Sequence, residues 1–249
     1  MRGRFSAIGN IIALCVLMFA SWQALYWIAG DIAMRSPAET FAYSVKLAGQ
    51  ASFWVHAAET GKAFGMALAL AVAGGLAIGF ILGLNRLASE VFEPMLVAIY
   101  SIPKITLYPI LLLAFGLGLS AKVAFGTIHG IIPIALFTLN GVRNVKPVLL
   151  KSARTLGLSP FATVREIVFP AALPEIVTGL RVGFSLTMIG TLLGEMFASQ
   201  RGLGFLLMNG IGLHNVDLIM ALTFGLVVFA GSAGIILLAI DRRLHDRST

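Results

Sequence analysis

Three polar side chains recur every four residues inside an otherwise apolar run: Thr187, Thr191 and Glu195. That spacing places them on one face of a helix. Hydroxyls and a carboxylate in such a setting do one of two things. They bond neighbouring helices together, or they line a polar path through an apolar medium. Threonine also bonds to its own helix backbone, so spacing alone leaves both readings open. Arg181 precedes the stripe and can pair with a lipid phosphate, cap an aqueous mouth or attract an anion.

A second chemistry-bearing stretch runs from residue 143 to 175. It holds Lys151, Arg154, Arg165, Glu166 and Glu175 in a chain that is only 12% charged. Its pattern predicts two short helices. The first covers Pro147–Leu156, with Leu149, Ala153 and Leu156 on one face. Gly157 supplies a stop. Ser159 and Pro160 supply an N-cap and a first-turn proline. The second helix is expected to reach Phe169, with Phe161, Val164 and Val168 as its apolar stripe. Pro170 and Pro174 are then expected to break the path. The apolar face of such a hairpin needs cover, from its own spans, from lipid or from a soluble partner.

Other chemistries find no support. The chain has no G-x-x-x-x-G-K-[ST] phosphate loop, no H-E-x-x-H and no G-x-S-x-G. Cys15 is the only cysteine, so an internal disulfide is ruled out and a Cys/His metal cluster has no basis. His129 has no carboxylate at helical spacing and reads as a hydrogen-bonded packing residue. No catalytic, cofactor-binding or metal-binding residue is assigned.

The elements that must position these residues follow from composition. The 249 residues are 58% hydrophobic and 12% charged, against about 25% charged in ordinary soluble domains. The chain therefore reads as an all-α, polytopic membrane protein forming a single domain over 1–249. A crossing needs about 20 apolar residues. Six such spans are expected: Ile8–Ala29, Ala63–Asn85, Met95–Gly116, Val123–Val142, Ile176–Ser199 and Leu218–Ile240. The first is read as a retained helix, with Trp22, Tyr26 and Trp27 as an interfacial belt. Ser36 and Pro37 are expected to start a turn, and Ser44–Ala58 an amphipathic surface helix. Gly75, Gly79 and Gly83 share one face, for close approach of a second copy or for general packing. Arg86, Glu90 and Glu93 read as a polar turn. Pro103 and Pro109 should bend the third span. Lys104 between them either snorkels or faces an aqueous path. Gln200–Asp217 reads as a glycine-rich loop with a short helix.

With six spans both termini share a side. That side collects Arg2, Arg4, Arg86, Arg143, Lys146, Lys151, Arg154, Arg165, Arg242, Arg243 and Arg247, eleven of the eighteen basic residues. The opposite side has Arg35, Lys46, Lys62, Lys122 and Arg201. The asymmetry places both termini and the 143–175 loop in the cytoplasm. The net charge of +7 is explained this way and does not imply nucleic acid.

Ala153, Gly157, the pair Phe169–Pro170 and Pro174 follow the pattern of the "EAA" loop of ABC-importer permeases. Gly179-Leu180-Arg181 resembles the subgroup that imports sulfonates, taurine and nitrate. Further matches are Ser36-Pro37, Gly79 with Gly83, Pro94, Ile102-Pro103, the run Phe115–Gly118 with Lys122, Gly141-Val142-Arg143, Glu195 and Arg201–Gly204. The resemblance covers nearly the whole chain. It implies the MetI-like type I importer fold in a bacterial inner membrane. It also implies pairing with a second permease copy, two cytoplasmic ATPase subunits that carry the ATP and Mg, and a periplasmic or surface-tethered binding protein. The ATPase contact would fall on Lys151, Ala153, Arg154, Leu156, Gly157, Leu158, Ser159, Pro160 and Phe161. The substrate path would involve Thr187, Thr191, Glu195 and Arg181. One departure stands out: Lys151 occupies the position of the family's glutamate. An ion-coupled secondary carrier is the alternative, disfavoured by the lack of a carboxylate–histidine relay.

Overall fold

The structure, a computed structural model, describes residues 2–245. Arg247 lies outside them, and the side chains of Arg2, Arg4, Arg242 and Arg243 are not among those described. Every element among the described residues is helical. Helix α1 spans Arg2–Ala29, α2 Pro37–Ala48, α3 Ala51–Gly83 and α4 Arg86–Ser101. A 3₁₀ turn at Lys104–Leu107 leads into α5, Tyr108–Phe115. Then come α6 Leu119–Arg143, α7 Pro147–Thr155 and α8 Pro160–Thr163. A π turn at Val164–Val168 joins α9, Phe169–Ala198, and α10 Leu203–Gly212 and α11 Val216–His245 complete the chain. Five helical segments are long and apolar enough to cross a membrane, and the bent pair over Arg86–Phe115 makes a sixth.

Three expectations change. The surface helix at Ser44–Ala58 does not form. Ser36 and Pro37 instead start α2, closed by a capping box in which Ser36 Oγ accepts from the Glu39 amide and Glu39 returns to the Ser36 amide. Gly49 and Gln50 end that helix, and residues from Ala51 onward already belong to the long α3. The amphipathic pattern thus belonged to two helices. The third span likewise starts earlier than Met95. Asn85 caps α4 through the Ala88 amide, and Arg86, Glu90 and Glu93 lie on that helix. Pro103 forces Ile102 to extended geometry (φ −66°, ψ 131°), and the two halves meet at 83°. Lys104 follows the break, donating to the Tyr100 carbonyl at 3.0 Å. Finally, Pro170 and Pro174 do not break the path. Pro160 to Phe197 is one helical run of 38 residues. The wider π turn falls just before Pro170, where the ladder loses a donor and the ring would crowd the preceding turn.

Helix α6 packs against α3 on one side and α9 on the other. Gly75, Gly79 and Gly83 face Ile134, Thr138 and Val142 of α6, so this small-residue stripe serves contact within the chain. On the other flank Gly126 and Gly130 of α6 meet Thr191 and Thr187 of α9. Helix α5 packs on α6 and α11 on α9, while α1 lies further out against α2 and α11, and all three leave broad apolar faces exposed, as lipid contact requires.

A methyl added at Gly75 would lie 2.7 Å from Ile134 Cβ and 3.0 Å from the Ile131 carbonyl. Gly75→Ala is therefore expected to cost about 1–3 kcal/mol by overpacking. Gly65→Ala, which meets nothing within 4 Å, is expected to cost nothing measurable. Melting midpoints of the two variants in detergent check the difference.

Candidate functional site

The chemistry-bearing residues gather at the two ends of α9. At the end near its start, α7 closes with a full Schellman arrangement. The Leu158 amide donates to the Ala153 carbonyl and the Gly157 amide to the Arg154 carbonyl, both at 3.1 Å. Gly157 has φ +67°, which a side-chain-bearing residue adopts only at a cost. Ser159 Oγ accepts from the Ala162 amide at 3.2 Å and starts α8, with Pro160 in the first turn. Ala153 is buried and ties α7 to the body. Leu156 and Phe161 stand 73% and 75% exposed on either side of the Gly157 turn. Two large apolar side chains thus form an exposed knob beside charged Lys151 and Arg154, outside the packed core. Lys151 is exposed and forms no ion pair among the described residues. Behind the knob lies a cavity of about 830 Å³ walled by Arg86, Glu90, Arg143, Arg154, Leu158 and Val164. Arg143 is tied there to Glu93 of α4 and to Asn140.

At the other end, Thr187, Thr191 and Glu195 do share a face, and that face is turned to α6. All three are fully buried. Thr191 donates to the Thr187 carbonyl at 2.9 Å, and the Thr187 hydroxyl packs against Gly130 without a partner among the described residues. Glu195 accepts the Thr60 hydroxyl at 2.8 Å and the Gly204 amide at 3.0 Å. Lys122, 1% exposed, donates to the Arg201 carbonyl at 2.8 Å and lies 3.5 Å from Glu59 and 3.8 Å from Glu195. Arg181 is half-buried near the middle of α9, and its carbonyl accepts Ser185 Oγ at 3.3 Å. It stands apart from the Glu195 cluster.

Sequence reasoning named Glu195 and missed what holds it. Glu59 and Thr60 carry no assignment from sequence, and Lys122 enters there only as an opposite-side cation and a match to the family pattern. A signal was present: His56, Glu59 and Thr60 fall at i, i+3 and i+4 in an apolar helix, one polar patch on one face. His129 sits where its spacing suggested, with Nδ1 2.8 Å from the Phe125 carbonyl. Among the described residues no group of His, Cys, Asp and Glu is arranged to hold a metal ion.

Residues 75–249 match the model of the family described as binding-protein-dependent transport system inner membrane component. The taurine transport system permease protein TauC of Escherichia coli is 27% identical over 241 residues, covering 94% of this chain and 88% of that one. A probable ABC transporter permease protein of Haemophilus influenzae is 31% identical over 192 residues, 77% of each chain. Among solved structures, the inward-facing MetNI methionine ABC transporter aligns with a TM-score of 0.65 at 21% identity, covering 75% of this chain and 93% of that one. The last likeness concerns fold alone.

Removing Lys122 would leave Glu195 buried without its cation. Lys122→Met is expected to destabilise by about 3–5 kcal/mol. Adding Glu195→Gln is expected to recover part of the loss, because no buried charge then remains at that position. A double-mutant cycle of melting midpoints in detergent measures both.

Proposed function

The chain belongs to the family of binding-protein-dependent transport system inner membrane components, and on that premise we propose how it works and what it carries. It is the membrane permease of an ATP-driven importer, and its own residues bind solute and transmit motion. ATP hydrolysis belongs to two cytoplasmic ATPase subunits, which also hold the Mg. A substrate-binding protein delivers the solute at the opposite face, and a second copy of this chain completes the passage. Both termini and the 143–175 segment lie in the cytoplasm. The observation that supports the ATPase contact is the exposed Leu156–Phe161 knob built on the Gly157 turn. Lys151, Ala153, Arg154, Leu158, Ser159 and Pro160 frame it. A hydrophobic knob with a charged rim suits a groove on a soluble partner.

The solute is a small organic anion of the sulfonate class. The likeness to a taurine permease along 94% of this chain supports this reading. Nitrate-like inorganic anions are the neighbouring option. Helix α9 forms a wall of the path. Thr187, Thr191 and Glu195 fix it against α6, and Arg181 stands nearer the cytoplasmic mouth, where its charge favours an anion.

The function is tested in liposomes holding the permease, its ATPase and its binding protein. Uptake of taurine should require ATP and should not run on an ion gradient alone. Uptake driven by a gradient without ATP would identify a secondary carrier instead. Gly157→Val, at φ +67°, should distort the knob. Transport should then fall at least tenfold while membrane insertion persists and ATP hydrolysis continues uncoupled. Normal transport by this variant would remove the coupling role from the turn.

A further inference from the structure

Helix α10 begins with three amides that have no local carbonyl to reach. Each is satisfied by a side chain from elsewhere. The Gly202 amide donates to His56 Nδ1 at 3.1 Å, the Leu203 amide to Thr60 Oγ1 at 2.8 Å and the Gly204 amide to Glu195 at 3.0 Å. Two of the three caps come from α3 and one from α9. Lys122 of α6 adds the Arg201 carbonyl just before them. Four helices therefore meet in one closed set of polar contacts. The Gly202-Leu203-Gly204 sequence is needed for it. A Cβ at Gly202 (φ +125°) would fall on the Glu195 carboxylate, and one at Gly204 would lie 2.8 Å from Glu195 Cβ.

Ordinary helix caps are local. A cap drawn from two other helices ties the position of α10 to theirs. Thr60 is the centre, since its hydroxyl donates to Glu195 while accepting from Leu203. Glu195 and Lys122 cannot separate without leaving a charge buried, because both are at most 1% exposed. A polar cavity of about 610 Å³ opens beside the cluster, between residues 117–119 and 199–201, with Lys122 and Glu59 in its wall. Water thus reaches the cluster at its Lys122–Glu59 edge.

We propose that Thr60, Glu195 and Lys122 are positioning residues for transport: they clasp the 199–204 corner and α10 to α3 and α6, so that motion applied at the Gly157 end of α9 moves the far mouth as one body. The proposal rests on the permease reading above. It assigns no contact with solute to Thr60 or Lys122. Their role is exercised through the corner that they hold.

The test uses the assembled transporter in lipid, with hydrogen exchange at Gly202, Leu203 and Gly204 measured beside ATP-dependent uptake. Thr60→Val keeps the side-chain volume and removes the hydroxyl. It should speed exchange at Leu203 and Gly204 at least tenfold, leave α6 amides protected, and lower uptake at least tenfold while hydrolysis continues. Thr60→Ser should restore both. Should Thr60→Val not insert, His56→Leu removes the Gly202 acceptor and the ring stacked on Phe205, and leaves the Thr60, Glu195 and Lys122 bonds in place. It should speed exchange at Gly202 and slow uptake several-fold with hydrolysis retained. Fast exchange with normal uptake, in either variant, would overturn the clasp as a transport element. So would equal losses for valine and serine. Wild-type uptake that needs no ATP would instead defeat the permease reading, whatever the exchange data.

Discussion

Helix α6 is gripped from both sides at backbone distance, and the rest of the molecule depends on that grip. Inside lipid, burying an apolar side chain gains little, because the surroundings are equally apolar. Helices there hold together by close van der Waals contact and by hydrogen bonds that lipid cannot offer. The chain supplies the first with small residues. Gly75, Gly79 and Gly83 admit α6 on one flank, and Gly126 and Gly130 admit α9 on the other. The second is concentrated at the ends of the trio, where Arg143 ties to Glu93 and Lys122 sits between Glu59 and Glu195. The middle stays nearly free of charge, and cost explains the division. A buried ion pair away from water repays its desolvation only with full hydrogen bonding. At the helix ends, free amides and carbonyls provide that bonding.

The same rule explains where the chain bends and where it stays straight. Pro103 breaks the third span because Ile102 before it is driven to extended geometry, and no wider turn absorbs the strain. Pro170 and Pro174 sit in a helix that has already widened over Val164–Val168. Pro133 lies in the interior of α6, buried between α3 and α9, so packing on both sides holds that helix through it. One residue type thus gives a break, a helix continued from a widened turn and a buried position inside a long helix. The neighbours decide which.

This difference also marks what the sequence could reveal. The six apolar runs were legible because their lengths match a bilayer, and the Gly157 stop and Ser159 cap because turn chemistry is local. The run from Pro160 to Phe197 was not, since a single chain pattern does not say whether a widened turn will accommodate a proline. The 44–58 segment misled for a related reason: two helices meeting at Gly49 produced one apparent amphipathic period. At the site, Thr187, Thr191 and Glu195 announced a common face by spacing. Their partners did not, because Thr60 and Lys122 lie 135 and 73 positions from Glu195 along the chain. Tertiary capping of α10 leaves only a weak local trace, the polar patch at His56, Glu59 and Thr60.

Continuity of the Pro160–Phe197 run changes the mechanical picture most. Two prolines acting as breaks would make the 143–175 segment a tethered loop, and force on it would dissipate in the connection. A helix of 38 residues rises about 1.5 Å per residue, so the run extends on the order of 55 Å. Its first turn follows directly on Gly157 and Ser159, and its last turn carries Glu195. The exposed knob and the buried carboxylate therefore lie at opposite ends of one rod. The glycine-lined face against α6 holds that rod along its length. A lever needs a stiff arm, a contact to push on and a fixed grip at the far end. Under the proposed coupling, the arm would be α9, the contact Leu156 and Phe161, and the grip the set of bonds around Thr60. The π turn departs from the regular ladder without interrupting the run. It lies beside the cavity that Arg86, Arg143 and Arg154 wall, at the end of the run opposite Glu195.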